Sequence, residues 1–111
     1  MSRRSDSARI EAILMYIDDI NEIVAKHGDI DQTLSEKEGE YAVMMCLVQI
    51  GELLGKIESS ELREKLPVRL AANMRNVIVH NYEGVDKQII RLTVLESLPR
   101  LKSDISSLLD G

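Results

Sequence analysis

The stretch ARIEAILMYIDDINEIVAKHG, residues 8–28, indicates the fold class of this 111-residue chain. Its apolar side chains recur three and four positions apart, so they share one side of a helix. They are Ile10, Ile13, Leu14, Ile17, Ile20 and Val24. Gly28 suits the position just after a helix end. We therefore predict a first helix from about Ser7 to His27, with Asp6 as its N-cap.

The amino-acid composition favours helices throughout. Hydrophobic residues make up 44% of the chain, yet there is no Phe or Trp and there are only three Tyr. Leu, Ile, Val, Met and Ala must then form the core, a set that is typical of packed helices rather than sheets. Only two Pro and six Gly interrupt the chain, so its elements should be long. We predict one compact domain, residues 1–111.

The second predicted helix follows a polar link at residues 29–35 and runs to about Ile57. Its apolar residues again recur at helical spacing. Gly51 and Gly55 interrupt this helix, and glycine inside a helix costs stability. We interpret both glycines as points of close approach to another helix or to another subunit.

Two further helices complete the predicted bundle. The third covers about Arg69 to Val79, and the fourth runs from the N-cap Asp86 to about Leu109. Pro99 removes a backbone hydrogen bond inside the fourth helix and should bend it. Its inner face is predicted to consist of Ile89, Leu92, Leu95, Leu98, Leu101, Ile105 and Leu108. The fold class is therefore all-α, an antiparallel four-helix bundle with a bent final helix.

Charge, cysteine content and hydropathy indicate which kinds of partner and cellular location the sequence favours. The net charge is −5, but residues 62–102 carry eight Lys or Arg against four Asp or Glu, a weak footprint for nucleic acid on an acidic protein. The single Cys46 excludes an internal disulfide and is predicted to be a buried packing residue. No apolar run approaches the ~20 residues that span a bilayer, and no signal peptide is visible. We expect a soluble, cytoplasmic protein without a membrane partner.

Residues that can carry chemistry concentrate in one segment, Arg75-Asn-Val-Ile-Val-His80-Asn-Tyr82. The chain has no Gly-rich phosphate loop and no Cys/His cluster of the metal-ligand type. The other histidine, His27, ends the first helix, where an interaction with the helix dipole is expected. On pattern alone, Arg75 and Asn76 could equally be the solvated side of a helix.

The spacing within this segment sets a geometric condition. Arg75 and His80 are five residues apart, which places them about 140° apart around a straight helix. Their side chains can meet only through a distortion at the helix end or across a second subunit. The sequence permits both, because Asn81 and Gly84 favour a break after His80.

The pattern Arg-x-x-x-x-His-x-Tyr, with Asn directly after the Arg, resembles the signature of the HEPN superfamily. The wider sequence is similar to its HepT-like branch. The segments that carry this similarity are Gln49-Ile-Gly-Glu52, Asn73-Met-Arg-Asn-Val-Ile-Val-His-Asn-Tyr82, Val85-Asp86 and Thr93-Val-Leu-Glu-Ser-Leu-Pro99. The similarity spans nearly the whole chain.

This resemblance implies a metal-independent endoribonuclease toxin that cleaves RNA, needs no cofactor and acts as a homodimer. Arg75 and His80 of both protomers would form one cleft, and Asn76 would orient the phosphate or His80. The resemblance also implies a partner, a nucleotidyltransferase antitoxin of the MntA type that transfers AMP from ATP to Tyr82. The added group would bring bulk and negative charge to the place where an RNA phosphate must dock.

Two other interpretations remain open at this point. The first is a non-catalytic HEPN-like module that binds a nucleotide or completes the site of a partner nucleotidyltransferase. The acidic charge balance and the lack of aromatic surface for stacking single-stranded RNA favour it. The second is a plain dimerising helical bundle in which the motif is structural. Tyr16 and Tyr41 have no motif around them and are predicted to be packing residues.

Overall fold

The computed structural model describes residues 5–80 and 84–110, except for the side chains of residues 69, 70, 72, 77, 80 and 110. Its elements are α1 (Asp6–His27), α2 (Ile30–Ser35), α3 (Lys37–Gly55), α4 (Ser60–Lys65), α5 (Val68–His80), α6 (Lys87–Leu92) and α7 (Leu98–Asp110), with a π-helical turn, Thr93–Ser97, between the last two. The described residues contain no β-strand. The all-α class is therefore confirmed.

Four residues of the predicted stripe of α1 are buried and the other two, Leu14 and Val24, are partly buried, but the predicted N-cap is wrong. The side chain of Ser5 caps the helix by accepting a hydrogen bond from the amide of Ala8. Asp6 lies in the first turn, and its carboxylate accepts hydrogen bonds of 2.9 and 2.8 Å from the amides of Glu58 and Ser59. The carboxylate thus joins the start of α1 to the segment after α3. Local spacing could not reveal this contact.

The segment predicted as a polar link is helical from Ile30 to Ser35. Asp29 is its N-cap and accepts from the amide of Gln32 at 2.8 Å. Ile30, Thr33 and Leu34 are buried, so this short helix is fixed by packing rather than by its own propensity. α3 ends at Gly55, two residues before the predicted end, and Gly55 has no atom within 4 Å of where a Cβ would lie. Its predicted contact with another helix of this chain is wrong.

α3 is the central helix of the bundle. It packs against α1 on one side and against α5 on the other, and α7 also contacts α1. Cys46 lies in this core, as predicted. Burial raises the pKa of the Cys46 thiol, and the carboxylate of Asp19 raises it further. Within the described residues, no helix is long and apolar enough to cross a membrane.

The final rod, α6 to α7, contains a π turn directly before Pro99, which is compatible with the bend predicted there, but the buried face of the rod differs from the prediction. The amide of Leu98 bonds to the carbonyl of Thr93, five residues earlier, and Pro99 follows at once. The buried residues are Ile90, Val94, Leu98, Leu101 and Ile105. The hydrogen bonds of a π turn span five residues rather than four, so more residues fit into each turn. Buried residues spaced four apart, such as Ile90, Val94 and Leu98, therefore stay on one side of the rod.

Three residues that were predicted to lie on the inner face are exposed instead. Ile89, Leu92 and Leu95 are 43%, 41% and 47% exposed. The first two line an apolar groove of about 290 Å³ between the rod, α3 and α5. For Ile89 and Leu95 the prediction was wrong because each lies beside another apolar residue, Ile90 or Val94, that could equally face the core.

Candidate active site

The candidate site is built where α5 crosses α3. A Cβ on Gly51 would lie 2.8 Å from the carbonyl oxygen of Ala71 and 2.8 Å from the Cβ of Arg75. No residue larger than glycine fits this spacing without displacing α5. The predicted close approach at Gly51 is therefore confirmed, and it brings Arg75 directly onto α3.

The guanidinium of Arg75 is held by two side chains. Its Nη1 donates to Oε1 of Glu52 at 2.6 Å, and its Nη2 donates to Oδ1 of Asn76 at 2.5 Å. The Arg75 side chain is still 31% exposed, and that of Glu52 is 38% exposed. Arg75 is thus fixed in direction while part of it remains open to solvent.

The structure brings together two of the four predicted site residues, Arg75 and Asn76. His80 is the last residue of α5, which continues without a break past Arg75. The backbone positions of Arg75 and His80 are therefore about 140° apart around one helix. The side chain of His80 and the whole of Tyr82 lie outside the described residues. Their meeting with Arg75 stays a prediction.

The other histidine has a structural position. The ring of His27 places Nδ1 2.8 Å from the carbonyl oxygen of Ile23 and Nε2 3.0 Å from Oε2 of Glu36. It therefore ties the last turn of α1 to the start of α3, in agreement with the role expected at a helix end. Among the side chains that the structure describes, which exclude that of His80, no three from His, Cys, Asp or Glu group in a way that could hold a metal ion.

Comparison with known proteins places the chain in a family. The family model described as ribonuclease HepT-like matches residues 13–108, a span that contains both α3 and α5. The chain belongs to the HepT-like ribonuclease family. The motif segment and Glu52 both lie within the matched span.

Relatives of this HepT-like chain cover nearly its full length. A protein of Methanocaldococcus jannaschii named "Putative RNase" is 33% identical over 112 residues, which is 98% of this chain and 95% of the relative. A second one from that organism, with the same designation, is 32% identical over 98% of this chain and 91% of its own length. A protein of Thermococcus cleftensis named "Probable ribonuclease HepT" is 32% identical over 96% of this chain and 97% of its own. No solved structure matches the chain.

Sequence reasoning missed one contact of the candidate site, the one between Glu52 and Arg75. Glu52 belongs to the run Gln49-Ile-Gly-Glu52, which carried part of the resemblance, but no role was assigned to it. The available signal was its place directly after Gly51. A residue next to the glycine of a helix contact flanks that contact and can reach the facing helix.

Proposed function

We propose that this chain is a metal-independent endoribonuclease and the toxin of a toxin–antitoxin pair. The observation that carries the proposal is the partly exposed Arg75 guanidinium, held by Glu52 and Asn76 inside the motif of a HepT-like chain. A guanidinium fixed in this way can grip a phosphate through its planar array of N–H donors. The names of the full-length relatives support RNA as the substrate.

The chemistry needs few protein groups, because RNA carries its own nucleophile. His80 removes the proton of a ribose 2′-hydroxyl, and the oxygen attacks the adjacent phosphorus. The bond from phosphorus to the 5′-oxygen of the next nucleotide breaks, and that oxygen takes up a proton from an imidazolium. Arg75 stabilises the charge that develops on the phosphate, and Asn76 orients the phosphate or His80. The products are a 2′,3′-cyclic phosphate and a 5′-hydroxyl.

The active enzyme is proposed to be a homodimer built around α3 and α5. α5 is continuous through His80, so one chain holds Arg75 and His80 about 140° apart by backbone position. In the proposed dimer, a two-fold axis beside α5 would bring the Arg75 of one protomer near the His80 of its partner. We expect a dimer at micromolar concentration in a size measurement. A monomer with full activity would contradict the composite site.

The partner is proposed to be a nucleotidyltransferase antitoxin that inactivates the toxin by adenylylation of Tyr82. Tyr82 is two residues from His80, so an attached AMP would place a phosphate and a nucleoside at the mouth of the site. The modification would then exclude the RNA phosphate by charge and by bulk. A cytoplasmic location follows from an RNA substrate and an ATP-dependent partner.

Cleavage of a labelled RNA by the purified protein, in excess EDTA, tests the enzymatic proposal. We expect cleavage to persist and to leave a cyclic phosphate, and we expect His80→Ala to lower the rate by ~100-fold or more. Arg75→Ala should also be inactive, whereas Arg100→Ala, which removes the same charge from an exposed site on α7, should retain activity. Loss of cleavage in EDTA, or full activity in His80→Ala, would refute the mechanism.

A non-catalytic HEPN-like module is the second candidate, and one observation favours it. Arg75 already has an acidic partner in Glu52, so the pair could be a purely structural link between α3 and α5. The net charge of −5 points the same way. Binding of a nucleotide or of a nucleotidyltransferase without any RNA cleavage would favour this module over the enzyme.

A further inference from the structure

Glu52 is the one acidic side chain that contacts Arg75 among the described residues, and the resemblance gives it no role. The two residues lie on different helices and are 23 positions apart in the chain. We propose that Glu52 is a positioning residue of the site: it fixes the direction of the Arg75 guanidinium, and its negative charge weakens the binding of RNA phosphate. This proposal rests on the proposed function, in which Arg75 binds that phosphate.

The Arg75 side chain is held at both ends. Its Cβ lies against Gly51, and its guanidinium bonds to Glu52 and Asn76. A free arginine side chain populates many rotamers, and only some of them direct its N–H groups at the reacting phosphate. Because Glu52 and Asn76 fix the direction of the guanidinium, its donors need little rearrangement as charge develops on that phosphate in the transition state.

The contact with Glu52 leaves donors for a substrate. A guanidinium has five N–H groups, and the two hydrogen bonds to Glu52 and Asn76 use one on Nη1 and one on Nη2. No described residue accepts from Nε, and Nη2 has a second hydrogen to donate. A phosphate can therefore bind Arg75 while Glu52 keeps its own hydrogen bond.

The charge of Glu52 acts against that binding. A carboxylate 2.6 Å from the guanidinium offsets its positive charge and repels an approaching phosphate oxygen. Both side chains are about one-third exposed, so solvent and salt reduce this repulsion to a modest size. Glu52 is thus expected to raise the rate of the chemical step while it lowers affinity.

Two substitutions at Glu52 separate these effects. Glu52→Gln keeps an oxygen that accepts from Nη1 but removes the charge, whereas Glu52→Ala removes both. We expect Glu52→Ala to lower kcat by about ten-fold or more. We expect Glu52→Gln to keep kcat within about three-fold of wild type and to bind RNA about two- to five-fold more tightly. Raising the ionic strength to about 0.5 M should abolish the gain in affinity.

Binding is measured apart from cleavage, as the fluorescence anisotropy of a labelled 2′-O-methyl oligoribonucleotide that has no free 2′-hydroxyl. Glu38→Gln is the matched control, because Glu38 is exposed and lies on the same helix about 21 Å from Glu52 by helical rise. That distance is more than a Debye length at 0.1 M salt, so Glu38→Gln should bind and cleave like wild type. Circular dichroism establishes that each variant is folded.

The outcomes distinguish this proposal from the one on which it rests. A wild-type protein that cleaves no RNA refutes the proposed function. If wild type cleaves RNA, a kcat of Glu52→Ala within two-fold of wild type refutes the positioning role. Oligonucleotide affinity in Glu52→Gln equal to that in Glu38→Gln refutes the role of the charge. An equal loss of kcat in both Glu52 variants also refutes the proposal, since the amide oxygen should preserve the orientation of Arg75.

Discussion

The contact between Gly51 and α5 predicts that Gly51→Ala destabilises the protein, although alanine is the better helix former. A Cβ at this position would lie 2.8 Å from the carbonyl oxygen of Ala71 and 2.8 Å from the Cβ of Arg75. Both distances are too short for non-bonded heavy atoms. The oxygen belongs to the backbone of α5, so no side-chain rotation can relieve the overlap and the helix itself must move.

Two opposing effects set the size of the loss. Alanine in place of glycine in a helix interior stabilises by about 1 kcal/mol. Overpacking costs typically about 1–3 kcal/mol, and a displaced backbone places this site in the upper half of that range. The net free energy of unfolding should therefore fall by about 1–2 kcal/mol. For a domain of this size, that corresponds to a fall in Tm of roughly 4–10 °C.

Gly55→Ala is a matched control on the same helix. No atom lies within 4 Å of the position that its Cβ would occupy, and its φ angle is not positive. Only the helix-propensity effect remains, so we expect a gain of up to about 1 kcal/mol and a Tm higher by a few degrees. The two glycines, four residues apart, should thus respond to one substitution with opposite signs.

Thermal and urea unfolding followed by circular dichroism at 222 nm measure both variants. The protein concentration must be the same in all samples, because a dimer has a concentration-dependent Tm. A Gly51→Ala protein as stable as wild type, or more stable, would refute the steric reasoning. A Gly55→Ala protein as destabilised as Gly51→Ala would show instead that Gly55 contacts a neighbouring subunit.

Three further predictions follow from single side chains. Amide donors of Glu58 and Ser59 lower the pKa of Asp6 below its ordinary value of 3.8. Ionised Asp6 therefore stabilises the fold above pH 3.8, and this contribution is lost as the pH falls through the lowered pKa. Asp6→Asn should reduce the free energy of unfolding at pH 7 and make that free energy less dependent on pH in acid denaturation. Burial raises the pKa of the Cys46 thiol, so a thiol-reactive dye at pH 8 should label it rapidly only after urea unfolds the protein. If Tyr82 is the proposed AMP acceptor, Tyr82→Phe should remain a folded nuclease that the co-expressed antitoxin no longer neutralises. AMP found on that variant by intact mass spectrometry would contradict the proposed acceptor.

The sequence predicted the buried face of a helix correctly where the spacing of apolar residues allows only one face to be buried. In α1 the four isoleucines at positions 10, 13, 17 and 20 share one face of the helix, and all four are buried. In the final rod, Ile89 lies beside Ile90 and Val94 lies beside Leu95. Either member of each pair could face the core, and the π turn before Pro99 decides between them. Periodicity alone cannot locate such a turn.

The candidate site was predictable only in its local part. Arg75 and Asn76 are adjacent in the chain, so a motif can reveal them together. The partner of Arg75 is 23 residues away, and the amides that bind Asp6 are more than 50 residues away. These contacts depend on how helices cross, which the spacing within one helix does not determine. Short sequence patterns therefore identify the Arg75 segment but not Glu52.

Two adjacent residues of α3 link the fold to the site. Gly51 sets how closely α5 can approach α3, and Glu52 binds the guanidinium of Arg75, which this approach brings against α3. A larger residue at position 51 would push the Arg75 backbone away from α3, and the 2.6 Å contact with Glu52 would have to lengthen or be rebuilt. The spacing between α3 and α5 therefore also sets the distance between Glu52 and the guanidinium of Arg75. The Gln49–Glu52 run, which carries part of the resemblance, thus supplies both the contact point between α3 and α5 and the anchor of the proposed phosphate-binding residue.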